Sequence, residues 1–274
     1  MNDRVQVTID DGVADVRLVR SDKMNALDPA MFEALVSAGD RLKREAGLRC
    51  VVLSGEGRAF CAGLDMGNFG RMADGSRAPV SATGAGLASR THGVANSAQY
   101  AVWVWREVPA PVIAAVHGVA FGGGFQLMLG ADMRFVAPDT RLAVLEIKWG
   151  LIPDMAGTLL MRHLAREDVV RELTYTGRIF SGREALELGF ATRVCDDPRA
   201  EALALAREIA GKNPDAVRAA KRLLNAVAQV TDPLSGLIQE TEEQVALIGS
   251  PNQVEAVKAN LEKRAPAFTD RAPT

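Results

Sequence analysis

Two short segments of this chain bring glycines and backbone amides to places where they could stabilise a developing negative charge. One is Gly57-Arg-Ala-Phe-Cys-Ala-Gly-Leu-Asp-Met66, which follows the apolar run Cys50-Val51-Val52-Leu53. The other is His117-Gly-Val-Ala-Phe-Gly-Gly-Gly-Phe-Gln126, which follows the β-branched run ending at Val116. Each reads as a strand end, a small-residue turn and a helix start. A helix start exposes N–H groups with no acceptor inside the helix and carries the positive end of its dipole. Glycine lets another group approach that backbone closely. Two such starts side by side could aim two donors at one oxygen, the requirement of an oxyanion hole. Taken singly, either segment reads equally as a tight turn; the pair, in this order, carries the chemical argument.

The titratable candidate beside them is Glu146, set in Ala143-Val-Leu-Glu-Ile147. Apolar surroundings disfavour the charged carboxylate, raise its pKa and suit it to proton transfer. The other reading of Glu146 is a buried ion pair with Lys or Arg. Asp154 follows in Leu151-Ile-Pro-Asp-Met155 and is either a second working carboxylate or the cap of a helix beginning near Gly157. Several catalytic signatures are missing: Gly-x-Ser-x-Gly, the phosphate-cradling Gly-x-x-x-x-Gly-Lys-Ser/Thr, His-Glu-x-x-His and Cys-x-x-Cys. His92, His117 and His163 stand at no metal-ligand spacing with Cys or carboxylate, so no metal site is expected. Structural roles are expected elsewhere. Asp65 caps its own turn, Asp132 is a buried hydrogen-bonded carboxylate, His117 packs ahead of its glycine turn, and Trp103, Trp105 and Trp149 are core or pocket wall. Lys221-Arg222 reads as a solvated helix face.

The elements that position these groups are legible from local signals. Val5-Gln6-Val7-Thr8-Ile9 and residues 14–19 alternate around Asp11-Gly12, which predicts a hairpin. Asp28-Pro29 opens a helix, with Met31, Leu35 and Leu42 on one face. Residues 50–53, 111–116 and 133–136 are short buried strands, and their alternation with helical stretches suggests βαβ units and a buried sheet. Residues 67–89, rich in Gly, Ala and Ser, read as a long surface loop beside the pocket. Asp197-Pro198, Asn213-Pro214, Asp232-Pro233 and Ser250-Pro251 each pair a capping side chain with proline at the first helical position, and Ser181-Gly-Arg-Glu184 is a capping box. We therefore expect an α/β core over residues 1–197 and a helical region over residues 198–274.

Composition narrows the function. The chain has 274 residues, enough to bury roughly three quarters of its unfolded surface without a disulfide or metal staple. Lys plus Arg is 32 against 34 for Asp plus Glu, a net charge of −2 that offers no basic track for nucleic acid. Cys50, Cys61 and Cys195 show no short spacing, which favours a reducing, cytoplasmic setting. Asp3, Arg4, Asp10, Asp11, Asp15 and Arg17 leave no apolar signal region near the start. Residues 108–131 contain no Asp, Glu, Lys or Arg and are long enough to span a bilayer. Pro109, Pro111, Gly118 and Gly122-Gly123-Gly124 break that stretch into two buried elements joined by a glycine turn.

Across nearly its whole length the sequence resembles the enoyl-CoA hydratase/isomerase (crotonase) superfamily. The resemblance rests on Lys23-Met24-Asn25-Ala26-Leu27, Ala59-Phe-Cys-Ala-Gly-Leu-Asp65, the glycines from 118 to 124, residues 146–157, Thr176-Gly177-Arg178, residues 184–189 and the tail from Lys263-Arg264 to Phe268. It implies a crotonase-like (ClpP/crotonase) α/β spiral of ββα units with a helical C-terminal trimerisation region. It also implies an acyl-CoA substrate, no separate cofactor, and a homotrimer or dimer of trimers with no nucleic-acid or membrane partner. In this family a thioester carbonyl sits between two backbone N–H groups, and the matching positions are Leu64 and Gly123. Lys23, Met24, Ala26, Ala62 and Asp65 match the segments that hold CoA. Phe268 matches a residue reaching a neighbour's CoA, and Lys258, Lys263 and Arg264 could attract its phosphates. Family hydratases use two glutamates on water. Glu146 matches the second, but the first is replaced by Gln126, which can orient water yet has no proton equilibrium near neutral pH. Glu146 followed by Asp154 is similar to the carboxylate pair of the dienoyl-CoA isomerase branch, which also has an acidic residue where Gln126 stands. The expected reaction is double-bond isomerisation by Glu146 with Asp154. The alternatives are hydration by Glu146 with Gln126 orienting water, and a non-catalytic acyl-CoA binder.

Overall fold

The computed structural model describes residues 3–67, 87–230 and 232–270. Strands β1 (Val5–Asp10) and β2 (Val13–Leu18) form the hairpin. Its turn residues Asp11 and Gly12 both have positive φ, 44° and 77°, matching the right-handed twist of the paired strands. A short 3₁₀ turn (Ser21–Lys23) leads to α1 (Pro29–Lys43), where Asp28 Oδ1 accepts from Met31 N at 2.8 Å and Met31, Leu35 and Leu42 are buried. All six residues of β3 (Cys50–Gly55) are buried. The loop read over residues 67–89 lies almost wholly outside the described residues.

Helix α2 (Ser97–Glu107) starts with a reciprocal capping box between Asn96 and Gln99. The uncharged stretch that could pass for a bilayer span then resolves into β4 (Val112–Val116), β5 (Val119–Phe121) and α3 (Gly123–Leu129). No described helix is long and apolar enough to cross a membrane. Next come β6 (Met133–Val136), β7 (Arg141–Ala143), a 3₁₀ turn (Glu146–Trp149), α4 (Gly157–Met161), α5 (Glu167–Thr176), β8 (Phe180–Ser181), α6 (Gly182–Leu188) and β9 (Arg193–Val194). Four helices finish the chain: α7 (Pro198–Ala210), α8 (Pro214–Val227), α9 (Pro233–Leu247) and α10 (Pro251–Glu262), each with proline in its first turn as the sequence predicts.

The main sheet has six strands in the order β1-β2-β3-β4-β6-β9, parallel except for the opening hairpin. A second sheet, β5-β7-β8, is fed by the same ascending chain: β4 is followed by β5, and β6 by β7. The chain beyond β3 joins this second layer through a bridge from Cys61 to Ala120. One face of the main sheet packs into a large core holding Trp105, Phe60 and Phe125. Ala202 and Ala206 of α7 cover the other face, against Val52, Ile113 and Phe135. Helix α7, grouped with the tail on sequence, is therefore integral to the core.

Two expectations need correction. Lys221 is not on a solvated face: it is 7 % exposed, and its Nζ donates to Trp105 O at 3.0 Å and Ala110 O at 2.9 Å and pairs with Asp132 at 2.8 Å. Arg222 does face outward, paired with Glu243. Adjacent helical residues lie about 100° apart, so one member of a charged pair can pin α8 to the core while the other meets solvent. The box at Ser181 is half made. Ser181 Oγ accepts from Glu184 N at 3.1 Å, while the Glu184 side chain pairs with Arg178 instead.

Candidate active site

The two glycine-bearing turns meet. Cys61 N donates to Val119 O at 3.0 Å and Phe121 N donates to Cys61 O at 3.2 Å, so residues 61–64 run alongside β5. Their other edge is held by Leu27, which donates to Gly63 O at 2.8 Å and accepts from Asp65 N at 3.1 Å. A Cβ placed on Gly63 would lie 2.5 Å from Phe121 O and 3.7 Å from Gly123 N, so the turn that carries Leu64 lies against the start of α3. Among the described residues neither N–H has a backbone acceptor. A Cβ on Gly124 would sit 2.2 Å from Cys61 O, so only glycine allows α3 to start this close to the neighbouring turn.

Glu146 reaches the same turn from the other side. Its Oε1 lies 3.3 Å from the Cβ position of Gly122, whose φ of +50° directs the backbone into α3. Glu146 Oε1 accepts from Gln126 Nε2 at 2.7 Å, while Glu146 Oε2 is buried with no hydrogen-bond partner. The ion-pair reading of Glu146 is thereby removed for the described residues, because its bonded partner is the neutral amide. Burial pushes the Glu146 carboxyl above its ordinary value and the charge of Asp154 acts in the same sense, outweighing the Gln126 N–H that favours the anion. A carboxylate of raised basicity with one oxygen fixed and the other bare is suited to taking a proton from a carbon acid.

Gln126 does something the sequence did not reveal. It is fully buried, and its Oε1 accepts both Met155 N at 2.8 Å and Gly157 N at 3.0 Å. Ala156 between them has φ +66°, a left-handed conformation that turns the flanking N–H groups toward one acceptor. Gln126 thus caps α4 and orients Glu146 with the same amide. With both lone pairs of Oε1 engaged by backbone N–H groups and one Nε2–H given to Glu146, the second Nε2–H is the group left to meet a water. Asp154 does not cap α4: that helix has no side-chain cap from its own start, because Gln126 supplies it across the fold. The Asp154 residue is open to solvent on one side, yet burial of the carboxyl pushes its pKa up, and its charge is felt at Glu146.

The remaining candidates frame this centre. Ala62 N donates to Met24 O at 2.9 Å and Ala26 N to Lys23 O at 3.0 Å, which ties the residue 23–26 turn to the residue 59–62 loop. Lys23 is exposed at its rim. Asn25, in the quoted motif but given no role on sequence, is completely buried and donates to Glu56 O and Ala59 O. Asp65 caps its turn as expected, accepting from Gly67 N at 2.8 Å, and pairs with Arg20 at 2.6 Å. Burial opposes the Asp65 charge, but those two donors prevail and hold its carboxyl below the ordinary range. His117 Nε2 is 2.9 Å from Gly57 O, a packing role. Trp105 is core and Trp103 half-buried, whereas Trp149 is exposed. Phe268 is half-buried in a tail held by Asn252, which exchanges hydrogen bonds with Thr269. Lys258 and Lys263 are exposed, and Arg264 is engaged by Glu255 and Glu262. Among the described residues no His, Cys, Asp and Glu group could hold a metal ion.

A family profile described as enoyl-CoA hydratase/isomerase matches residues 8–271. The mitochondrial Delta(3,5)-Delta(2,4)-dienoyl-CoA isomerase of Mus musculus is 31% identical over 92% of this chain and 77% of its own length. The mitochondrial methylglutaconyl-CoA hydratase of the same species is 28% identical over 94% of this chain and 79% of its own. The crystal structure of an enoyl-CoA hydratase from Bacillus anthracis superposes with a TM-score of 0.84 at 30% identity, covering 97% of this chain and 98% of that one.

Proposed function

Because the chain belongs to the enoyl-CoA hydratase/isomerase family and has the crotonase fold, we propose that this enzyme moves a double bond along an acyl-CoA thioester. The thioester oxygen lies between Leu64 N–H and Gly123 N–H. Glu146 Oε2 removes a proton from the carbon next to the thioester. The electron pair moves onto the oxygen, where the two amides hold the enolate. The double bond shifts into conjugation and a proton returns to the distal carbon. For a 3-enoyl chain Glu146 itself can return it; for a 3,5-dienoyl chain the distal carbon is farther off, and Asp154 supplies the proton. A pKa raised by burial at both carboxyls favours groups that must lose and regain protons in turn.

The observation that carries this reading is the single bare oxygen of Glu146 beside the glycine turn, held by an amide rather than a second carboxylate. Hydration by this family's route uses two proton-handling groups on one water, and the Gln126 amide, bonded to Met155, Gly157 and Glu146, can take up or release no proton. The similarity to dienoyl-CoA isomerases supports the same choice.

The CoA moiety is placed along Lys23, Met24, Ala26, Ala62 and Asp65, with no separate cofactor. Leu234, Leu237, Val245 and Leu261, each at least 60 % exposed on α9 and α10, supply an apolar face for a homotrimer or dimer of trimers, which sedimentation reads directly. Such an assembly would bring Phe268 toward a neighbour's CoA. Three free cysteines, two of them buried, suit a reducing cytoplasmic setting.

The test presents 3-enoyl-, 3,5-dienoyl- and 2-enoyl-CoA and follows absorbance of the conjugated thioester. We expect conjugation of the first two, both reduced at least about 10²-fold in Glu146→Gln, with Asp154→Asn slowing the dienoyl reaction more than the enoyl one. Faster hydration of 2-enoyl-CoA than either isomerisation would overturn the proposal. Tight binding of every thioester with no turnover would instead make the protein a binder.

A further inference from the structure

The two helices whose starts build the catalytic centre also share a second cavity at their far ends. Leu129, the last residue of α3, and Leu159 and Leu160 of α4 line a space of about 500 Å³. Trp103 and Arg106 of α2 and Ala226 of α8 close it. That volume falls in the range of small-molecule sites. Its walls are mainly apolar, with Asn225 and Gln229 among them, and its polar end is not neutral. Asp132 accepts from Val112 N at 2.8 Å and faces Lys221 at 2.8 Å and Arg106 at 3.5 Å. Arg134 adds a third cation to this one carboxylate, drawn toward Asp132 and repelled by Arg106.

Arg134 is only 5 % exposed. Its Nε donates to Phe190 O at 2.8 Å and its Nη1 to Ala131 O at 2.9 Å. Among the described residues its Nη2 has no acceptor, although Nη2 is not sealed from the cavity that Arg134 lines. Two other charges that line the cavity are matched, Arg222 with Glu243 and Glu107 with Lys43, whereas His163 receives an N–H from the cationic Arg162. The cavity therefore ends in uncompensated positive charge with an open guanidinium edge, a costly arrangement for a buried site with nothing to receive it.

We propose that this cavity is a second ligand site, for a medium-chain organic carboxylate. The carboxylate meets Arg134 Nη2 and the Arg106 guanidinium, whose planar donor edges suit two oxygens. The hydrocarbon lies against Trp103, Leu129 and Leu160. A neutral ligand leaves the charge uncompensated, and a polyanion would meet Glu107 and Asp132 as well as the cations.

The probe is sodium octanoate, titrated calorimetrically into the full chain with the catalytic centre filled by a saturated acyl-CoA. One octanoate per chain is expected, with 1-octanol at least tenfold weaker. Arg106→Gln, at a partly exposed position, weakens octanoate at least tenfold, and Ala226→Phe, which fills the cavity, abolishes binding; both variants retain isomerisation. Failure of octanoate to bind overturns the proposal. So does equal binding of 1-octanol, or octanoate binding that survives both variants. A fall in sedimenting mass for Ala226→Phe, with no octanoate bound by the parent, overturns it too, and shows that a second copy of this chain fills the cavity.

Discussion

Replacing Gln126 with glutamate changes one atom type at the centre and tests the isomerisation we propose for the native chain. The Gln126 Nε2 to Glu146 Oε1 distance is 2.7 Å. In Gln126→Glu that contact becomes two carboxylate oxygens, while the other oxygen of residue 126 can still accept from Met155 N and Gly157 N. At an effective dielectric of about 20, two unit charges at this separation repel by at most about 6 kcal/mol. At 1.36 kcal/mol per pKa unit this displaces the second ionisation by about four units. The pair therefore carries one shared proton at neutral pH and titrates in two steps that belong to both residues. One member can then act as base and the other as acid on a bound water, whereas the native amide could do neither. A positioned acid or base contributes roughly 10²- to 10⁴-fold, so hydration of 2-enoyl-CoA should rise by at least about 10²-fold. Isomerisation should slow, because Glu146 now shares a proton that it must lose to act as base. The assay follows loss of conjugated-thioester absorbance from 2-enoyl-CoA, with thermal unfolding confirming an intact fold. A folded Gln126→Glu enzyme whose hydration rate equals that of its parent would refute the reasoning.

Further outcomes follow from the same contacts. Glu146→Gln should be more stable than its parent at neutral pH even as it loses activity. The folded-state pKa of Glu146 is raised, so between its ordinary value and that raised value the folded chain binds more protons than the unfolded one, and stability falls as pH rises. The difference in unfolding midpoint should vanish at acidic pH, where the parent is protonated in both states; a variant less stable than its parent at neutral pH contradicts this. The kcat/KM of the parent should climb through an acid limb lying above the ordinary glutamate range, reporting ionisation of Glu146 in the free enzyme; a flat profile across that range counts against Glu146 as the base. Gly124→Ala places a methyl 2.2 Å from Cys61 O, backbone that cannot swing aside. It should lower stability by about 1–3 kcal/mol and impair turnover together, as overpacking of a tight contact does, and an unchanged melting temperature would mean that the two turns are not in contact.

What was legible in the sequence was local. The hairpin at Asp11-Gly12 and the helix starts at Asp28, Asn213 and Asp232 rest on side chains acting within about three residues of themselves, and all form as read. The glycine turns were legible because close backbone approach restricts the residue type at positions 63 and 124. The partners of Gln126 were not, because Met155 and Gly157 lie 29 and 31 positions along the chain and offer only backbone N–H groups, which any residue there would have. Asp154 resembled a helix cap by spacing alone, and nothing local says that an amide from α3 takes that role. Lys221 was misread for a related reason: its acceptors, Trp105 O and Ala110 O, are more than 100 positions away. Positive φ at Met24, Asn25 and Ala156 left no glycine to mark it, since tertiary contacts hold those turns in place.

The central claim is that Leu64 N–H and Gly123 N–H hold an enolate while Glu146 removes the adjacent proton. It is tested most directly with a saturated acyl-CoA in deuterated water, where no net reaction competes and mass spectrometry reads exchange at the carbon next to the thioester. The account predicts steady deuterium uptake at that carbon, lowered at least about 10²-fold in Glu146→Gln. An unexchanged thioester bound by the native protein, or uptake undiminished by Glu146→Gln, would contradict it.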